Sequence, residues 1–197
     1  MGLAAPAPSL LPKSWDLDLQ FHDPQRITLT LPGESVPTTF WYLLYTVVNN
    51  TGQDIKFHPT FDVVTDTLKV VRAGDEIPPA VIDAVQARHR TQYPFFVRPM
   101  EVSGPLLQGV DNARTSAAIY RDFDPKASRF TIYVGGLSGE IVRLPSPSFD
   151  PTRPESDTNS RFFVLRKTLG IAYDLPSDEE SRKEAIPQRV RREWVMR

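Results

Sequence analysis

The chain has 197 residues, 40% of them apolar and 10% aromatic, which is enough for a packed core and excludes a wholly disordered polymer. Its 23 lysines and arginines nearly cancel 24 aspartates and glutamates, so there is no overall basic field to attract nucleic acid. Cysteine is absent, which excludes disulfides, thiolate metal sites and cysteine nucleophiles; the 19 prolines disfavour long helical bundles and suit turns and strand edges.

Residues 1–14 are rich in Pro, Ala and Ser and read as a flexible N-terminal segment. Leu3-Ala4-Ala5 ahead of the prolines suits the tail of an export signal and an ordinary flexible start equally well, and there is no charged n-region or apolar h-region to decide between them. From Trp15 to Phe21 apolar and polar residues alternate strictly, which predicts a strand with one wet face. Asp23-Pro24 turns the chain, and Ile27, Leu29 and Leu31 give a second strand or the continuation of the first. Phe40–Val48 is apolar on both alternating sets and predicts a central strand covered on both faces. Asn49-Asn50-Thr51-Gly52 is a turn signal, and the alternation from Ile55 to Val63 predicts a hairpin with the preceding strand. A short strand follows at Leu68–Val71.

Pro78-Pro79 opens a helix with Val81, Ile82 and Val85 on one face and Arg88, His89 and Arg90 at its end. Further strands are predicted at Phe95–Val102, Ser116–Tyr120, Phe130–Val134, Ile141–Leu144, Phe162–Leu165 and Leu169–Tyr173. Residues 145–160 have loop chemistry throughout, and a loop this long is functional or disordered. Ser177-Asp178-Glu179-Glu180 is a capping box for a short helix stopped by Pro187. No apolar run approaches the ~20 residues of a transmembrane helix. The expected fold is therefore mainly β: an immunoglobulin-like β-sandwich with one or two short helices. It comprises a domain over 15–175 with a Pro-rich loop at 145–160, and a C-terminal extension over 176–197.

The candidate chemistry is sparse. His22 and His58 fall on the polar sets of their strands and, with Asp18 or Asp62, are candidates for a metal site, but no short-range ligand spacing supports one. Asp122 and Asp124 alternate as in calcium loops, but the following Gly and distal Glu are missing, so Asp124-Pro125 reads as a turn. Ser138 in Gly136-Leu137-Ser138-Gly139 fails the G-x-S-x-G spacing of a nucleophile elbow, and Gly135-Gly136 is not a phosphate loop. The basic tail, with Arg182, Lys183, Arg189, Arg191, Arg192 and Arg197, reads as a solvated or partner-docking segment. No catalytic residue, cofactor or metal ligand is assigned.

The stretch Tyr45-Thr46-Val47-Val48-Asn49-Asn50-Thr51-Gly52-Gln53-Asp54-Ile55 resembles the V-x-N-x-T-G hairpin of small bacterial immunoglobulin-like domains of the DUF4352/FxLYD type. That resemblance implies an extracytoplasmic, non-enzymatic module. More broadly, Pro12-Lys13-Ser14-Trp15, Trp41-Tyr42, Val63-Val64-Thr65-Asp66-Thr67, Asp122-Phe123-Asp124-Pro125-Lys126, Arg166-Lys167-Thr168-Leu169 and Trp194-Val195-Met196-Arg197 are similar to a group of usually exported bacterial proteins, a likeness that brings no activity with it.

The leading expectation is a non-catalytic, protein-binding β-sandwich that serves as an accessory or structural subunit of a larger assembly, periplasmic or at the cell envelope. The alternatives are a carbohydrate- or small-ligand-binding sandwich with Trp15, Trp41, Tyr42 or Trp194 as a stacking platform, and an enzyme whose site is assembled from distant strands. Trp194, Val195 and Met196 are the candidate docking residues. Leaving all three exposed forgoes ~1.5–3 kcal/mol per side chain, so they are expected to be buried, either as an added edge strand on their own sandwich or on a partner, with Arg192 and Arg197 in water.

Overall fold

The computed structural model describes residues 6–9, 14–122, 124–176, 178, 180–181 and 185–197. Two alternating stretches, β1 (Asp18–Phe21) and β2 (Gln25–Leu29), lie end to end along one edge of β3 (Thr38–Val48). They form one edge interrupted at His22-Asp23-Pro24, where proline has no N–H for a ladder. The long apolar run of β3 is sandwiched as its double apolar pattern predicts. Its Trp41, Leu43 and Tyr45 share a core with a second sheet, while Phe40, Tyr42 and Leu44 pack on the helix α1 (Pro79–His89) through Val81, Ile82 and Val85. Pro79 opens this helix, and Arg88 and His89 lie in its last turn, where the helix dipole favours positive charge.

Beyond β3 the chain continues through β4 (Ile55–Phe57), β5 (Thr60–Thr65), β6 (Val70–Arg72), α1, β7 (Gly104–Leu106), β8 (Arg114–Arg121), β9 (Arg129–Gly135), β10 (Ile141–Pro145), β11 (Phe162–Asp174) and β12 (Gln188–Met196). β8 pairs with the free edge of β3 and completes the first sheet. The second sheet runs β6, β5, β9, β11, β12, with β10 continuing the β9 side of β11. All these pairings are antiparallel. The two sheets meet through aromatic contacts: Tyr45 on Phe61 at 4.6 Å between ring centroids, and Trp41 on Phe130 at 6.2 Å. This mainly-β arrangement of two large sheets and a two-stranded β4–β7 ladder, with α1 packed on the first sheet, is consistent with a β-sandwich.

Four local expectations need correction. β3 and β4 form no hairpin; β4 pairs with β7, and β5 crosses to the second sheet. The buried Asn49 explains the turn: its Nδ2 donates to Gln53 O and to Leu106 O, both at 2.8 Å, so the turn is tied to the β7 segment and not to a returning strand. Residues 95–102 do not form a strand; Phe96 makes one isolated bridge and Pro99–Glu101 is a 3₁₀ turn. Proline at 94 and 99 removes the ladder donors that a strand needs there. Leu68 sits in the β5–β6 turn with φ 64°, so the strand begins only at Val70. The two strands expected within 162–173 are one thirteen-residue strand, β11. The expected C-terminal helix falls largely on residues outside the described set, where Asp178 Oδ1 accepts from the Ser181 N–H at 2.8 Å.

Gly136 secures the junction between β9 and β10. Its φ is +81°, and a Cβ there would fall on the His58 carbonyl, so only glycine lets the β4–β5 connection approach this closely.

Candidate functional site

Three features outside the core stand out, and the first is a polar cleft on the outer face of the second sheet. Period-2 alternation sends Phe61 and Val63, Ile132 and Val134, and Leu169 and Ile171 into the core. The intervening Thr60 and Asp62, Tyr133, and Arg166 and Thr168 therefore share the opposite face. They line a cavity of about 720 Å³ with Lys56, His58 and Arg197, walled by Trp15 and the Gly135–Gly139 turn. Tyr133 lies across Gly170, where a Cβ would meet its ring at 3.3 Å, and the Arg197 guanidinium stacks 4.3 Å above the same ring. Asp62 is held between Arg72, at 3.4 Å, and Arg197, at 3.8 Å. His58 and Asp62 thus share one cleft, in which Asp62 is the only lining carboxylate side chain, but His22 lies elsewhere. Among the described residues no three His, Asp or Glu side chains cluster as a metal site requires.

The second feature surrounds the other two histidines, where the β1–β2 break meets the end of α1. His22 Nε2 shares a hydrogen bond with Tyr93 Oη, and Tyr42 Oη lies between Gln25 Oε1 at 2.8 Å and His89 Nε2 at 2.9 Å. Burial, reinforced by the positive charges of Arg88 and His22, holds the His89 imidazole below its ordinary pKa of 6.5. Because the folded state disfavours protonation, His89 contributes stability that is complete above that value and is lost as the pH falls through the lowered folded pKa. Urea midpoints measured at about pH 7.5 and about pH 5.5 should therefore differ more in the wild type than in His89→Gln. Equal losses in both chains would exclude His89 as the titrating group.

The third feature is an arm made of β10 and the first five residues of β11, paired from Ile141 opposite Arg166 to Pro145 opposite Phe162. Ile141, Phe162, Phe163 and Val164 are 44–49% exposed, although they sit in a regular ladder. In this register Ile141, Arg143, Pro145, Phe162 and Val164 occupy the face that continues the cleft, with Arg143 opposite Val164, and Leu144 opposes Phe163 on the other. The loop at the tip, residues 146–161, is folded around the buried Asn159. Asn159 Nδ2 donates to Asp150 O and Pro154 O at 3.0 Å, and its Oδ1 accepts from the Asp150 N–H at 2.8 Å. Arg161 stacks on Phe149 at 5.1 Å. Alternating polarity could not show this, because the asparagine that organises the loop reads as one more turn residue.

The candidate docking residues Trp194, Val195 and Met196 lie on β12, opposite Leu169, Thr168 and Lys167. Met196 is buried, Trp194 and Val195 are half-buried, and Arg192 and Arg197 are exposed. Trp41 and Tyr42 are buried and present no stacking surface, so that alternative retains only Trp15, at the cleft wall, and the half-buried Trp194. Asp122 and Asp124 are both engaged within the protein. Asp122 accepts from Trp41 Nε1 at 2.7 Å, and Asp124 accepts from the Lys126 N–H and from Thr67 Oγ1. Ser138 Oγ accepts from the Glu140 N–H in a local turn. An apolar cavity of about 280 Å³ lies between α1, β5 and β8, lined by Tyr45, Phe61, Ile77, Ile82 and Ile119. No helix among the described residues is long and apolar enough to cross a membrane.

Compared with protein-family models, curated proteins and solved structures, the chain matches none.

Proposed function

We propose that this chain is a non-catalytic, protein-binding β domain, an accessory subunit that grips its partner with the β10–β11 arm. The observation that carries this reading is the run Phe162-Phe163-Val164, exposed on both faces of a regular ribbon. A free ribbon of this kind leaves apolar area in water that is worth roughly 25 cal/mol per Å² once covered. Its two exposed faces, apolar except where Arg143 lies opposite Val164, suit a partner protein with a hydrophobic groove that closes around a two-stranded ribbon, and they suit a flat surface less well. The folded tip supports the same use, since an arm ordered before binding loses less entropy on docking.

The test compares pull-downs by the wild type, by Phe162→Ser combined with Val164→Ser, and by Leu68→Ser, an equally apolar and more exposed position in the β5–β6 turn. The arm variant should melt within about 4 °C of the wild type, because each exposed position changes stability by only about 0.5 kcal/mol. It should also lose a partner that the Leu68 variant retains. Retention of every partner by the arm variant would refute the proposal.

A further inference from the structure

We infer that the cleft on the outer face of the second sheet is a binding site for a small dianion, a phosphate monoester or a dicarboxylate. The inference stands apart from the arm and its partner. Its first support is an arrangement that the fold alone does not favour. Arg166 and Arg197 exchange both backbone hydrogen bonds, Arg166 N to Arg197 O at 2.7 Å and Arg197 N to Arg166 O at 3.0 Å. They are thus a directly opposed antiparallel pair, with both side chains on the cleft face. Like charges in that relation repel and destabilise the pair. Lys56, from β4, brings a third cation to the same cavity.

The second support is the lack of internal compensation. Asp62 is the only carboxylate side chain among the lining residues, and it is already held by Arg72 and Arg197. Among the described residues the side chains of Lys56 and Arg166 have no hydrogen-bond or ion-pair partner. Three basic side chains therefore share the cleft with one acidic side chain in a protein whose net charge is -1, so the excess of basic side chains is local to the cleft. Arginine forks suit the paired oxygens of phosphate and carboxylate, and a ligand with two negative charges would match the excess. The cavity of about 720 Å³ lies within the size range of small-molecule sites, and Trp15 gives it an aromatic wall for the rest of the ligand.

The test is a thermal-shift titration of the full chain with inorganic phosphate and with malonate, each against sodium chloride at matched ionic strength. A saturable rise in melting temperature with phosphate alone assigns the phosphate-ester class; a rise with malonate alone assigns the dicarboxylate class; a rise with both assigns the shared dianion chemistry. In Arg166→Gln combined with Lys56→Gln the affinity should fall about ten- to a hundredfold, as expected for lost hydrogen bonds to a charged group. The unliganded variant should melt no lower than the wild type, since a like charge has been removed from opposite Arg197. The wild-type titration alone overturns the inference if the melting temperature follows only ionic strength. A response undiminished in a folded double variant, or a response to a poly-glutamate peptide but to neither small dianion, overturns it as well.

Discussion

Replacing Lys167 by methionine should lower the unfolding free energy by about 3–5 kcal/mol, the range for removing one partner of a buried ion pair. At roughly 2–4 °C per kcal/mol for a chain of this size, the melting temperature should fall by roughly 6–20 °C. Lys167 is 2% exposed, with its Nζ at 2.7 Å from Asp16 Oδ2, 3.7 Å from Glu140 Oε2 and 4.8 Å from the centre of the Trp194 ring. Ser9 N–H donates to the other Glu140 oxygen, so the network joins the segment before β1, the β9–β10 turn, β11 and β12. Methionine keeps the length and apolar character of the stem and removes only the cation, which leaves two carboxylates close together without the charge they share. Thermal unfolding followed by circular dichroism reads the effect. A Lys167→Met chain that melts with the wild type would mean that the cation contributes nothing net.

Phe130→Ala should cost about 3–5 kcal/mol for a different reason, the cavity left at the junction of the two sheets. Phe130 is fully buried on β9, stacks on Tyr173 of β11 at 5.2 Å, and meets Trp41 of β3 at 6.2 Å. Its removal leaves a void between rings that are held by their own strands and hydrogen bonds. Tyr173 Oη donates to Asp23 Oδ1 at 3.0 Å, and Trp41 Nε1 is tied to Asp122, so neither ring is free to collapse inward. Denaturant unfolding should show a lower midpoint with an unchanged slope. A cost below about 1 kcal/mol would mean that the site repacks and that the sheets are not locked together at this point.

Each alternating stretch reports the environment of its own strand, so the inward and outward faces of β1, β5, β9 and the end of β11 were legible from Leu19, Phe61 and Val63, Ile132 and Leu169. The helix was equally legible, because Pro78-Pro79 and Arg88-His89 mark its ends with local chemistry. The candidate site was legible only in pieces. Lys56, His58 and Asp62 are legible as polar positions of one alternating stretch, but the expected partner of His58, His22, lies elsewhere, and Arg166 enters only within a resemblance. Single exposed cations carry no signal until a register places them side by side.

The sequence by itself thus determined a mainly-β chain, the helix α1 and the inward and outward faces of β1, β5, β9 and the end of β11, because these depend on side chains a few residues apart. Tertiary structure alone decided which strands pair. The buried amide of Asn49 diverted β4 from β3 to β7, and the pairing of β11 with β12 set Arg166 opposite Arg197. It also decided that Lys167 lies inside, where Asp16 and Glu140 supply the countercharge. Such outcomes depend on groups distant along the chain, and local periodicity carries no information about which distant segment comes to lie alongside.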